Sequence, residues 1–261
     1  MYTFDKITLL ITHYNRSNSL AKLLQSFQDL SVKFEDIVVS DDGSNAEHLQ
    51  ELEILKNSFH FKLITTPVNK GLGNNINKGQ DAVKTPLTLY IQEDFVPREA
   101  FIDKLKIASE MMQNDKELDL VRFYAYFKYP NLKPVAHGFS QMIFNHAHIW
   151  EGYRKFYLYS DHPHLRRSNF FEKFGRYPEG IKPDRTEYKM MLQVLNVGAK
   201  AYFYEDFKGL IEQENSAHEP STVKRNFLRN NNSIVFSLLR DLYRYLRLNI
   251  ELLFYKIKGK N

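Results

Sequence analysis

The chain opens on a short apolar run, Lys6–Thr12 (KITLLIT), whose length suits a strand buried on both faces. Ser17–Leu30 then carries Leu20, Leu23, Leu24 and Phe27 at helical spacing. A second strand over Asp36–Ser40 (DIVVS) is broken by Asp41-Asp42-Gly43-Ser44. His48–Asn57 reads as a helix, Phe61–Thr65 as a strand and Gly73–Val83 as a helix, and the strand Leu87–Gln92 (LTLYIQ) ends at Glu93-Asp94. This alternation predicts an α/β fold with a mostly parallel central sheet flanked by helices. The stretch Leu120–Tyr159 is aromatic-rich, with a strand expected over Leu120–Phe127. Glu187–Val197 reads as a helix stopped by Gly198, followed by a strand over Ala199–Tyr204. Glu212–Arg225 is expected to be a loop, and Asn232–Ile257 one long amphipathic helix or two.

Length and composition narrow the class. The 261 residues are 43% hydrophobic and 26% charged, which fits one α/β domain with a tail and excludes wholesale disorder. There is no cysteine, so a disulfide scaffold, a thiolate zinc site and a cysteine nucleophile are excluded. No signal peptide is expected at the N-terminus, and no run approaches the roughly 18–20 apolar residues of a spanning helix. The expected location is the cytoplasm. Net charge is +5 but uneven. Residues 222–261 carry nine Lys/Arg against two acids, so a basic tail sits on a mildly acidic body.

In an open parallel sheet, ligands bind beyond the carboxyl ends of the strands. Three such ends carry polar clusters: Thr12-His13-Tyr14-Asn15-Arg16, Asp41-Asp42-Gly43-Ser44 and Glu93-Asp94. Taken singly, each is an ordinary turn, cap or solvated face. Together they would bring carboxylates to one edge. A hard cation such as Mg²⁺ or Mn²⁺, shared with substrate phosphates, would relieve their repulsion.

ITHYNR, VVSDDGS, NKGLGNNINKG and YIQED, in that order, resemble the pattern of family 2 glycosyltransferases with the Rossmann-like GT-A fold, over about residues 5–218. That resemblance implies a GT-A domain over 1–221, with a nucleotide-binding half (1–95) and an acceptor half (96–221), before the 222–261 tail. It implies that Thr12 and Tyr14 border the nucleotide base, with Asn15, Arg16 and Asp41 alongside, and that Asp42 accepts from the uracil ring of a UDP donor. Glu93 would lie near the ribose. Asp94 would ligate the divalent metal (Mn²⁺ or Mg²⁺) on the diphosphate. Asn69, Gly71 and Asn77 match the segment under the donor. Ile76 stands where the family often has Arg, and Lys70 is the substitute cation. The family's general base is the Asp of a Glu-Asp pair. Its usual spacing between Gly175-Arg176-Tyr177-Pro178-Glu179 and Gly198 lands on Thr186-Glu187. Glu187 is therefore the candidate base, with Asp184 as competitor. His218 matches a common His that approaches the diphosphate or metal.

Other features add less. The remaining histidines show no zinc spacing, and no P-loop or Gly-x-Ser-x-Gly is present. Sugars stack on aromatic rings, so Trp150, the one Trp, is a candidate acceptor contact, the alternative being core packing. The tail, with Arg240, Arg244 and Arg247 among its apolar positions, fits either a membrane interface at the inner face or packing on the domain or a second subunit. Oligomerisation stays open, and no nucleic-acid partner is expected. Two functions stand at this point. One is an inverting, metal-dependent hexosyl-type glycosyltransferase that moves sugar from a nucleotide-sugar donor to a saccharide or lipid-linked saccharide in polysaccharide assembly. The alternative is a non-catalytic nucleotide-sugar- or saccharide-binding protein on the same scaffold.

Overall fold

Side chains alternate across a strand, so the apolar run of β1 (Tyr2–His13) feeds two cores at once. Ile7, Leu9 and Ile11 join one buried cluster with Leu20, Leu23 and Phe27 of α1 (Ser17–Asp29). Leu10 joins the other, with Val38, Ile76 and Tyr90. The computed structural model describes residues 1–214 and 234–258, with side chains over 1–214 and 238–255.

The first half follows the expected order: β2 (Val32–Asp41), α2 (Ala46–Phe59), β3 (Lys62–Ile64), α3 (Leu72–Asp81) and β4 (Leu87–Gln92). Both β1 and β2 begin several residues earlier than their apolar runs. The extra residues pair with each other in parallel register, Tyr2 with Val32 and Phe4 with Phe34. After the short β5 (Phe95–Pro97) comes a helix not expected from the sequence, α4 (Glu99–Asn114), which buries Phe101, Ile102, Leu105, Ala108 and Met112. Then follow β6 (Leu118–Arg122), β7 (Leu132–Ala136), β8 (Phe139–Met142), a 3₁₀ segment (Ile149–Phe156), β9 (His164–Arg167), α5 (Phe170–Phe174), α6 (Pro183–Val197), β10 (Lys200–Tyr204), β11 (Ile211–Gln213) and α7 (Ile234–Lys258). Of the expected loop 212–225, the first residues belong to β11, which pairs with β5, and residues from 215 lie outside those described.

Nine strands form one sheet in the order β3-β2-β1-β4-β9-β6-β10-β8-β7. The pairs β3–β2, β2–β1, β1–β4 and β6–β10 are parallel, and β9 runs antiparallel between β4 and β6. Helices cover both faces, the architecture expected from the sequence. The parallel register sets Thr12 beside Ser40 and Gln92, and His13 beside Asp41. The carboxyl ends of β1, β2 and β4 therefore open at one edge.

Two helix starts matter for that edge. Gly71 precedes α3 with φ +86°, a left-handed conformation that favours glycine. Pro183 opens α6, where its missing N–H costs nothing. The helix thus begins four residues before Glu187.

Within the described part of the tail, Ile234–Lys258 form one helix of 25 residues. It packs on α6 and the 3₁₀ segment, burying Leu248 and Leu252 and setting Tyr245 against Phe156. Leu238, Leu239, Leu242, Leu246, Ile250, Leu253 and Phe254 stay exposed. No helix among the described residues is long and apolar enough to cross a membrane.

Candidate functional site

The first and second strand tips are tied together by side chains. Asp41, fully buried, accepts from His13 Nδ1 at 2.8 Å, from the amides of Gly43 and Ser44, and from the Ser44 hydroxyl. Burial raises its pKa, but these hydrogen bonds outweigh burial and hold it below the usual carboxylate value. The amide of Asp42 donates to His13 O. Asp42 Oδ1 accepts from the Lys70 amide at 2.8 Å and Oδ2 from the Gly71 amide at 2.9 Å. Its carboxyl is pushed up because burial exceeds the help from those two amides. Lys78 lies behind, with Nζ on Asp41 O and Asn75 Oδ1, and burial lowers its pKa.

The third tip faces these two. Arg16 Nη1 lies 3.3 Å from Asp94 Oδ2 and 3.8 Å from Glu93 Oε1. Gln213 Nε2 donates to the same Asp94 oxygen at 3.0 Å. Arg16, Glu93 and Asp94 are nearly buried, so the guanidinium offsets two carboxylates that would otherwise repel.

A cleft of about 1540 Å³ gathers most of the expected residues: Thr12, Tyr14, Arg16, Asp42, Lys70, Gly71, Glu93, Asp94, Asp184 and Glu187 all line it. Single small-molecule sites usually run about 300–1,000 Å³, so two substrates have room. Asp184 is exposed on the first turn of α6. Glu187, one turn on, is set deep with part of its surface open to the cleft. Burial first, and then the carboxylate of Asp161, push its pKa up.

Four expected residues are not in the lining. Asp41 acts in the turn just described. Asn15 (φ +53°) accepts from the Asn45 amide through Oδ1. Asn77 is buried and grips the chain ahead of α6: Nδ2 donates to Tyr177 O and Glu179 Oε1, and Oδ1 accepts from the Tyr177 amide. Trp150 is 76% exposed and stacks on His148 at 4.8 Å, away from the cleft. His218 lies outside the described residues. Ile76 is fully buried in the core rather than turned to the donor side.

The cleft also holds residues that motif matching does not find. Arg122 ends the apolar strand β6. Its Nη1 donates to Tyr157 O and its Nη2 to Ser160 Oγ. An Arg closing a fully buried strand (LDLVR) is a sequence signal, since such a charge needs partners. Arg240 and Arg244 of α7 line the mouth, with Arg244 over the Tyr153 ring at 5.3 Å. Arg240 and Arg244 thus turn toward the domain, while the apolar row of α7 turns outward.

Among the described residues no three His, Asp or Glu side chains cluster as a cage for a metal ion. What is present is a pair of hard carboxylates, Glu93 and Asp94, on a cleft wall beside Arg16. That donor set suits Mg²⁺ or Mn²⁺ carried in on a diphosphate, which needs only one or two protein carboxylates.

Comparisons agree with this architecture. The model for glycosyl transferase family 2 matches residues 8–175. No curated protein matches the chain. The fold is similar to S. aureus TarS 1–349 in complex with UDP-GlcNAc, with TM-score 0.62 and 16% identity over 94% of this chain and 73% of that one. Against TarS 1–349 alone the TM-score is 0.56 at 17% identity over 77% of this chain, which spans 58% of TarS 1–349. The mannosyltransferase PcManGT from Pyrobaculum calidifontis, in complex with GDP-Man and Mn²⁺, gives 0.53 at 12% identity over 78% of this chain and 58% of that one. At these identities the likeness concerns the fold.

Proposed function

The chain belongs to glycosyl transferase family 2, and from that premise we propose that it transfers a hexose-type sugar, with inversion, from a UDP-sugar to a hydroxyl of a saccharide or lipid-linked saccharide in polysaccharide assembly. The observation that carries the reading is the shared cleft. Asp42 and Asp94 come from separate strand tips, and Glu187 from α6, yet all three line one cavity. A UDP donor also finds support in the similarity to TarS, whose structure holds UDP-GlcNAc.

In this reading Thr12 and Tyr14 flank the uracil and Asp42 accepts from its ring N–H. Asp42 is already fixed by two backbone amides, so it meets the base without reorganising. Asn15 and Asp41 act one step back by holding that turn, and Asn77 by holding the chain before α6. Lys70 and Arg16 bring positive charge toward the diphosphate. A divalent cation held by Asp94, with Glu93 beside it, would offset the negative charge that builds on the leaving nucleoside diphosphate. Glu187 takes the acceptor hydroxyl's proton. Its desolvated setting makes it a stronger base than an ordinary carboxylate. The acceptor enters from the side of Arg240, Arg244 and the tyrosines. The outward apolar row of α7 would rest on a membrane surface that presents a lipid-linked acceptor.

A thermal-shift screen of nucleotide-sugars with and without Mn²⁺ tests the donor, because a ligand of the folded state raises the melting point. UDP-sugars with Mn²⁺ should give the largest shift and should release UDP when acceptor is added. Binding without any release under a range of saccharide acceptors would favour the non-catalytic alternative.

A further inference from the structure

Gln213 has no task in the mechanism above, yet it touches the proposed metal ligand. It lies 119 residues beyond Asp94 in the chain, and β11 brings it back by pairing with β5. In that ladder Gln213 stands opposite Phe95, and the Glu214 amide donates to Asp94 O at 2.8 Å. The main chain of Asp94 is thus fixed without help from the Gln213 side chain. That side chain makes two contacts of its own. Its Nε2 donates to Asp94 Oδ2 at 3.0 Å, and its Oε1 accepts from the Tyr126 hydroxyl at 3.2 Å. Asp94, Tyr126 and Gln213 all line the cleft.

The chemistry of the three groups decides which way the amide faces. An ionised carboxylate only accepts, so the NH₂ end must meet Asp94. The carbonyl end then takes a hydrogen from the Tyr126 hydroxyl. Turning the amide over would set oxygen against oxygen at Asp94. Tyr126 is 69% exposed, but its ring is braced edge-on by His162 at 4.6 Å and by Tyr124 at 5.9 Å. On the Asp94 carboxylate, both contacts fall on one oxygen. Arg16 Nη1 lies 3.3 Å from Oδ2, the same atom that Gln213 holds. Oδ1 accepts from no described residue. Two contacts on one oxygen set the twist of the carboxyl group and leave the other oxygen to a ligand.

We propose that Gln213, itself held by the Tyr126 hydroxyl, is a positioning residue that fixes the carboxyl group of Asp94, so that Oδ1 is the oxygen offered to the divalent cation of the donor. Carboxylates that ligate metals are usually hydrogen-bonded in turn, and losing that partner typically costs about 10–100-fold in metal affinity. Mg²⁺ in particular demands near-octahedral geometry, so a carboxyl group that can twist holds it less well. The Tyr126 end keeps the amide from rotating off Asp94. An amide suits this place because one end donates and the other accepts, which neither a carboxylate nor an ammonium can do.

The inference rests on Asp94 holding the cation, and the test separates the two ideas. The readout is calorimetric titration of UDP into the whole chain over a series of Mn²⁺ concentrations, with uridine affinity and melting as controls. Gln213→Met keeps the length of the side chain and loses both hydrogen bonds. The Mn²⁺ concentration that gives half the gain in UDP affinity should rise about ten- to a hundredfold, with uridine affinity unchanged. Gln213→Asn is one methylene too short to span Asp94 and Tyr126, so it should shift the same way. Tyr126→Phe should shift it by less, roughly two- to tenfold. A folded Gln213→Met with the wild-type Mn²⁺ requirement overturns the proposal, and so does one that loses uridine and Mn²⁺–UDP by the same factor. Should that variant not fold, an unmoved requirement in Gln213→Asn overturns it equally. Wild-type UDP binding that ignores both Mn²⁺ and Mg²⁺ would instead remove the metal-holding role of Asp94, and this inference with it.

Discussion

In the proposed function Asp42 is the residue on which donor recognition and loop order meet. Each of its oxygens holds one backbone amide, those of Lys70 and Gly71. In Asp42→Asn one oxygen becomes an NH₂ that faces an N–H, so one of the two bonds is lost. Hydrogen bonds to a charged group contribute about 1.5–3 kcal/mol each. For a domain of this size about 1 kcal/mol moves the melting point by roughly 2–4 °C, so a fall of about 3–12 °C is expected. The same change removes the charged acceptor for the base, and UDP affinity should drop about tenfold or more. Melting followed by differential scanning, with calorimetric titration of UDP, uridine and pyrophosphate plus Mn²⁺, resolves the two effects. Uridine should lose the same factor as UDP, and pyrophosphate should lose little. A variant that melts with wild type and binds uridine unchanged would refute both the loop-holding and base-reading arguments.

Asp94→Asn should abolish turnover and remove the dependence of UDP binding on Mn²⁺; wild-type turnover in that variant rejects the metal-holding role. Glu187→Gln should keep donor affinity, measured by titration, and lose transfer by at least a hundredfold; an unaffected rate moves the base to Asp184 or elsewhere. A Cβ on Gly73 would stand 2.3 Å from the Pro178 carbonyl oxygen, which is backbone and cannot swing aside. Gly73→Ala should therefore destabilise by about 1–3 kcal/mol despite the better helix propensity of Ala. A melting point at or above that of wild type would show that the packing argument fails.

The first half of the chain was readable because its elements are local and its register is parallel. An apolar run, a polar tip and a helix repeat three times, and the strand directions then bring His13, Asp41 and Asp94 to one edge without further information. Other parts needed tertiary partners. In β9, His164 and Arg166 are fully buried, so the strand reads as polar in sequence. Only Gln80 and a shell of aromatic rings make it a core strand. Asp161 likewise looks like a loop acid until Tyr177, sixteen residues on, closes over it. Trp150 shows the opposite limit, since its chemistry was visible but nothing local says which way the 3₁₀ segment turns it. The helix α4 was legible in principle, because Phe101, Ile102, Leu105, Ala108 and Met112 recur at three to four residues.

Asn77 clasps the backbone of Tyr177, while Gly73 leaves no gap to Pro178. The start of α3, proposed to lie beneath the sugar donor, and the approach to α6 are thereby welded into one block. In the proposed reaction the leaving group and the proton acceptor would then be held on that one block, and any clamping down on substrates would fall to the opposite wall, where aromatic rings and Arg240 and Arg244 stand.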